Sequence, residues 1–144
     1  MLRRKLKPGE YFLLRLPTGS DLLESLERHV RETGITIGYL SGLGAVSRAV
    51  VAYYDQSAQE YRQFPLERHL EITNLIGNVS LRDGQPMVHA HATFADEDGS
   101  AFGGHVAPGT LVFAAEVALI GLEGPALIRE HDQATGLPLW RADR

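Results

Sequence analysis

Two histidines one residue apart carry the clearest chemistry in this chain. His89 and His91 lie in the strand-like run Pro-Met-Val-His-Ala-His-Ala-Thr-Phe. Residues two apart in a strand point to the same face, with Cα atoms about 6.5–7 Å apart. Imidazoles so placed can converge on one metal ion at about 2.0–2.1 Å. A third histidine, His105, follows Gly103-Gly104. The intervening Ala-Asp-Glu-Asp-Gly-Ser is acidic and turn-forming, so the chain is expected to fold back and set His105 beside the pair. Three neutral imidazoles leave a coordination position for water or a small ligand. That donor set suits Zn²⁺ and, less selectively, Fe²⁺, Ni²⁺ or Co²⁺. The competing reading is three polar residues on a solvated sheet face.

Two carboxylates are candidates to support such a centre from behind. Glu71 opens the run Glu-Ile-Thr-Asn-Leu-Ile-Gly-Asn-Val-Ser. Glu116 sits in Leu-Val-Phe-Ala-Ala-Glu-Val-Ala-Leu-Ile, where apolar neighbours imply burial. A buried carboxylate needs a partner, such as a metal-bound histidine, an arginine or a metal. The alternative is that Glu116 points outward or pairs with an arginine at a subunit contact. His29, His69 and His131 read as surface residues. The sequence has no Walker loop, no Rossmann glycine motif and no Gly-x-Ser-x-Gly elbow. Ser41-Gly42-Leu43-Gly44 follows a strand without opening a helix, which predicts a sharp turn. With no cysteine, thiolate metal sites and cysteine nucleophiles are excluded.

These side chains need a sheet to position them. The spacing predicts one main helix, from Asp21 to about Thr33. Asp21 with Glu24 resembles a capping box, Gly34 is a stop, and Leu22, Leu23, Leu26 and Val30 form one stripe. Elsewhere the period is two or the apolar runs are short. This predicts strands over 11–16, 36–40, 49–54, 61–64, 71–81, 86–94, 101–103, 110–120, 126–130 and 137–141. Asp83-Gly84, Asp98-Gly99, Pro108-Gly109, Gly124-Pro125 and Thr135-Gly136 are the turns between them. The long segments call for bulges, with Gly77 a natural place for one. The expected class is α+β: a curved, mostly antiparallel β-sheet with the helix packed on it. A single domain over 1–144 is expected, with a basic segment at 1–10 and a core at about 11–141.

The 144 residues carry 14 Lys and Arg against 18 Asp and Glu, a formal net charge of −4. A strongly basic nucleic-acid coat is thereby disfavoured. No apolar run reaches the ~18–20 residues of a membrane span. The N-terminal stretch lacks a cleavage-like segment, so a cytoplasmic protein is expected.

Several blocks in order carry a family resemblance. They are Gly-Tyr-Leu-Ser-Gly-Leu-Gly-Ala, the Glu71 run, His-Ala-His-Ala-Thr-Phe-Ala-Asp-Glu-Asp-Gly and Phe-Gly-Gly-His-Val-Ala-Pro-Gly-Thr. From about Tyr11 to Trp140 the chain resembles the PPC (plants-and-prokaryotes-conserved) domain. That resemblance implies a homotrimer and a divalent-metal site at His89, His91 and His105. It also implies a DNA-binding or regulatory role. The plant-type AT-hook core Arg-Gly-Arg-Pro is absent. The basic cluster Arg3, Arg4, Lys5 and Lys7 is then the candidate for phosphate contact. Two functions are therefore weighed. One is a trimeric metal-binding module with a DNA, regulatory or small-molecule partner. The other is a small metalloenzyme with cupin-like three-histidine chemistry on a small substrate.

Overall fold

Asp21 begins the helix as the spacing predicts. Its Oδ1 accepts a hydrogen bond from the Glu24 amide at 2.9 Å, and Gly34 closes the last turn at φ 71°. The computed structural model describes residues 1–141. The last three residues of the expected 1–144 unit lie outside that range. The elements run β1 (Lys7–Leu16), α1 (Leu22–Thr33), β2 (Gly38–Asp55), β3 (Glu60–Leu66), β4 (Leu70–Arg82), β5 (Gln85–Ala95), β6 (Ala101–Val106), β7 (Leu111–Glu123), β8 (Ile128–His131) and β9 (Pro138–Trp140). No helix among the described residues is long and apolar enough to cross a membrane.

All nine strands join one sheet, in the order β1-β7-β2-β6-β5-β4-β8-β9, with β3 added on β2. Pairing is antiparallel except between β4 and β8. The 18-residue β2 organises the rest. Its first half pairs with β7 and β4, and its second half with β3 and β6. Because β4 pairs with β5 and β5 with β6, the pairings close a circuit through β2. One face of β5 supplies Val88, Ala90, Ala92 and Phe94 to the core, where Leu22, Leu26 and Val30 of α1 also lie fully buried. Each such leucine contributes about 1.5–3 kcal/mol by leaving water. Strand alternation then turns His89 and His91 to the opposite face.

Several local expectations change. The predicted strands 36–40 and 49–54 are one continuous strand, and the expected turn at Ser41-Gly42-Leu43-Gly44 is a bulge within it. Gly44 sits at φ 144°, and a Cβ there would collide with the Ala114 carbonyl, so glycine lets the strand continue where a turn was read. The bulge expected at Gly77 falls instead between Ile72 and Asn74. Gly77 keeps its register with Ala90, and a Cβ there would stand 2.7 Å from the His89 carbonyl oxygen. β1 begins at Lys7, so the expected basic segment runs into the sheet.

Candidate metal centre

His89 and His91 project from β5, and His105 projects from β6 as the direct register partner of His91. Ring centroids are 5.2 Å apart for His89 and His91, 5.0 Å for His89 and His105, and 5.5 Å for His91 and His105. One nitrogen from each ring lies within 4.8 Å of the others. Nitrogens at about 2.1 Å from one tetrahedral ion stand about 3.4 Å apart, so modest ring rotations bring them to that spacing. The Nδ1 of His105 is buried and has no hydrogen-bond partner. An orphaned nitrogen in a nitrogen-only cluster is what a cation would satisfy. These residues therefore fit a divalent metal.

Burial favours the neutral form of two of the three rings, His89 and His105. Burial pushes the His89 pKa down to about 4, with Arg129 and the other two histidines adding to the shift. Burial and then His91 and Arg129 lower that of His105. Neutral imidazole is the form that binds metal.

A cleft of about 320 Å³ opens onto His89 and His105. One wall is the β2–β3 hairpin, where Tyr61 lies 5.1 Å from the His105 ring and 5.0 Å from Tyr54. The other is the C-terminal hairpin of β8 and β9, tied to the first by Tyr54, whose hydroxyl donates to the Thr135 carbonyl at 2.6 Å. Under this hairpin lies Arg129, only 9% exposed. Its Nε donates to Ser80 Oγ at 2.8 Å, its Nη1 to the Pro138 carbonyl at 2.9 Å and its Nη2 to Asn78 Oδ1 at 2.9 Å. The same Nη2 stands 3.4 Å from His89 Nδ1. Burial lowers the guanidinium pKa.

Sequence reasoning missed Arg129, Tyr54 and Tyr61. A signal for the arginine existed in β4, where Asn78 and Ser80 place two polar side chains on one face of an otherwise apolar strand. Asn78 is the register partner of His89.

The structure does not bring the two carboxylates to this centre. Glu71 is exposed and opposite Ala95, four positions beyond His91, roughly 13 Å along the strand. Glu116 is exposed on β7, opposite Arg15 and Leu43, because alternation turns it away from Ala115 and Val117 in the core. The expected burial of Glu116 is thus replaced by the outward alternative. His69 and His131 are exposed, whereas His29 is partly buried and packs edge-on against Phe12 at 4.8 Å. In the basic cluster, Arg3, Lys5 and Lys7 are exposed, and Arg4 turns inward with its Nε buried beside Leu6 and Trp140. On β2, Val50, Val51 and Ala52 are buried while Tyr53 is 62% exposed. Further exposed apolar side chains are Leu13, Leu43 and Phe113, which are 90%, 60% and 61% exposed.

Residues 3–123 match the family model described as the Plants and Prokaryotes Conserved (PCC) domain. The metal-containing protein AF0104 from Archaeoglobus fulgidus is 41% identical, with a TM-score of 0.94 over 98% of this chain and 99% of that one. A plant- and prokaryote-conserved protein from Pyrococcus horikoshii is 35% identical, with a TM-score of 0.93 over 100% and 99%. Among curated proteins, "Bifunctional protein GlmU" from Synechococcus sp. (strain JA-2-3B'a(2-13)) is 37% identical over 133 residues. That match covers 90% of this chain and 20% of the relative, so the chain spans about a fifth of that protein's length.

Proposed function

The chain belongs to the Plants and Prokaryotes Conserved (PCC) domain family, and on that footing we propose that it is a cytoplasmic, homotrimeric metal-binding module of regulatory role. His89, His91 and His105 hold a zinc ion, and an open coordination position faces the cleft. The observation that carries this reading is the convergence of three imidazole nitrogens within 4.8 Å. The orphaned His105 Nδ1 supports it, as does the metal-containing description of a 41% identical relative. A bound divalent ion at such a site supplies Lewis-acid polarisation of what reaches it. Of the protein's own residues, Tyr54 and Tyr61 line the cleft and Arg129 borders it. The exposed Leu13, Leu43 and Phe113 supply the apolar face on which copies meet. Arg3, Lys5 and Lys7 are the positions that touch phosphate if the chain meets DNA.

The test is metal analysis of protein purified without chelators or an affinity metal. About one zinc per chain is expected. A chain that carries no metal and takes up none on incubation with Zn²⁺ overturns the reading. The metalloenzyme reading draws on one specific feature, the cleft that opens onto two of the three histidines. Turnover of a small molecule dependent on His105 would favour it.

A further inference from the structure

We propose that the cleft beside the three histidines takes a small carboxylate-bearing ligand, with its carboxylate held by the Arg129 guanidinium. The inference rests on the metal-module reading and names the class of molecule that reaches its open position.

Among the described residues Arg129 is a buried cation without a counter-charge. Among the described residues no carboxylate lies within ion-pairing distance of it. Its three short hydrogen bonds go to neutral acceptors: a hydroxyl, a side-chain amide and a backbone carbonyl. They fix the plane of the fork and leave one N–H on each Nη, with Nη2 also standing 3.4 Å from His89 Nδ1. A charge taken out of water this far is normally paired.

The surroundings add positive charge. Arg82 borders the same cleft and acts on Arg129 as a second cation, its own Nε standing 3.7 Å from the Asp83 carboxylate. A divalent ion on the histidines adds to this field. Glu60 is the carboxylate lining the cleft, and it is exposed at the rim. The site is therefore built to receive an anion. A planar guanidinium fork matches a carboxylate with two parallel hydrogen bonds. The remaining lining includes Met87, Leu137, Leu139 and the two tyrosines, and the volume is about 320 Å³. That space suits a small organic acid with a short apolar body.

The test titrates the zinc-loaded full-length chain with acetate and with acetamide, its uncharged isostere, by calorimetry. Zinc content is measured on the same samples. Acetate is expected to bind saturably, and acetamide at least tenfold more weakly. Arg129→Gln, carrying the wild-type amount of zinc, should lose acetate affinity at least tenfold, and Arg129→Lys less. Equal binding of acetate and acetamide overturns the proposal, as does unchanged acetate affinity in zinc-loaded Arg129→Gln. Because Arg129 braces two hairpins, its variants can misfold, and the acetate–acetamide pair is then compared on the metal-free wild-type chain, where no zinc ion can take the carboxylate; equal binding there overturns the proposal. Tighter binding of inorganic phosphate than of acetate also overturns the carboxylate assignment. A wild-type chain that loads zinc but takes no acetate refutes the carboxylate site only. One that loads no zinc refutes the metal reading beneath it.

Discussion

His91 of β5 and His105 of β6 are opposite partners in one antiparallel register. The third histidine is thus placed by a strand ladder and not by a loop. A one-residue slip of β6 would turn His105 to the other face of the sheet. Two glycines protect this register. A Cβ on Gly103 would stand 2.8 Å from the Ala92 carbonyl oxygen, and one on Gly104 2.8 Å from that of Ala52. β6 is squeezed between β5 and β2, and only residues without side chains allow both approaches.

Gly104→Ala should therefore weaken the site without removing a ligand. Overpacking of this kind costs about 1–3 kcal/mol. The expected outcome is a lower unfolding midpoint together with weaker zinc binding, read by denaturant titration and metal competition. Unchanged values for both would show that β6 tolerates the extra carbon and that the glycines do not set the register.

Each ligand should matter alone. Outer partners of a metal-bound histidine are typically worth 10–100-fold in affinity, so losing a ligand should cost about 100-fold or more. His89→Ala, His91→Ala and His105→Ala are each expected to strip zinc in a chelator competition. His29→Ala, His69→Ala and His131→Ala should keep it, since those rings are not part of the cluster. Retention of zinc in the three ligand variants would place the metal elsewhere.

The half-buried His89 and His105 give the metal-free protein a defined pH response. The pKa of His89 is about 4 in the folded chain, against an ordinary value of 6.5. Between those values the unfolded chain binds a proton that the folded chain refuses. Stability therefore falls as pH drops from 6.5 towards about 4, and this contribution levels off below that. His105, lowered in the same direction, adds to the slope. Unfolding midpoints of the metal-free protein at several pH values should trace this fall. His89→Asn should flatten it, and an identical slope in that variant would remove His89 as its source.

The histidine pair and the helix were legible because each rests on a short period. Alternation put His89 and His91 on one face, and Asp21, Glu24 and Gly34 bounded α1. β2 was not legible as one strand. Its Gly42 and Gly44 carry turn signals, yet in the sheet they serve close approach to β7. Glu116 was misplaced because a strand buried on one face still reads as an apolar run. Arg129 stayed hidden because its partners Asn78 and Ser80 are far away in sequence and meet it only through the parallel pairing of β8 with β4.

Assembly should depend on the outward apolar side chains. Light scattering is expected to give about three times the 15.8 kDa chain mass. A charge at Leu43 or Leu13, as in Leu43→Glu, should dissociate the assembly while leaving the monomer folded, because neither side chain enters the core. A monomer mass for the wild type at micromolar concentration would refute the trimer.

Duplex DNA binding, if it resides in this chain, has few charges to work with. Arg3, Lys5 and Lys7 are exposed, while Arg4 is turned inward against Leu6 and Trp140. Three phosphate contacts release about three counterions, giving a log–log salt slope of about −2.7 per bound protomer. Raising salt from 50 to 200 mM should then weaken binding by about 40-fold. The formal net charge of −4 opposes approach at longer range and leaves little affinity at physiological salt. No AT-hook core is present to read the minor groove, so sequence preference should be slight. Gel shifts at the two salt concentrations, on unrelated duplexes, measure both quantities. Replacing the three cations with alanine should abolish the shift and leave bound zinc unchanged. A strong shift surviving that replacement would move the DNA contact to another surface. A slope much steeper than −2.7 would require several protomers to engage the duplex together.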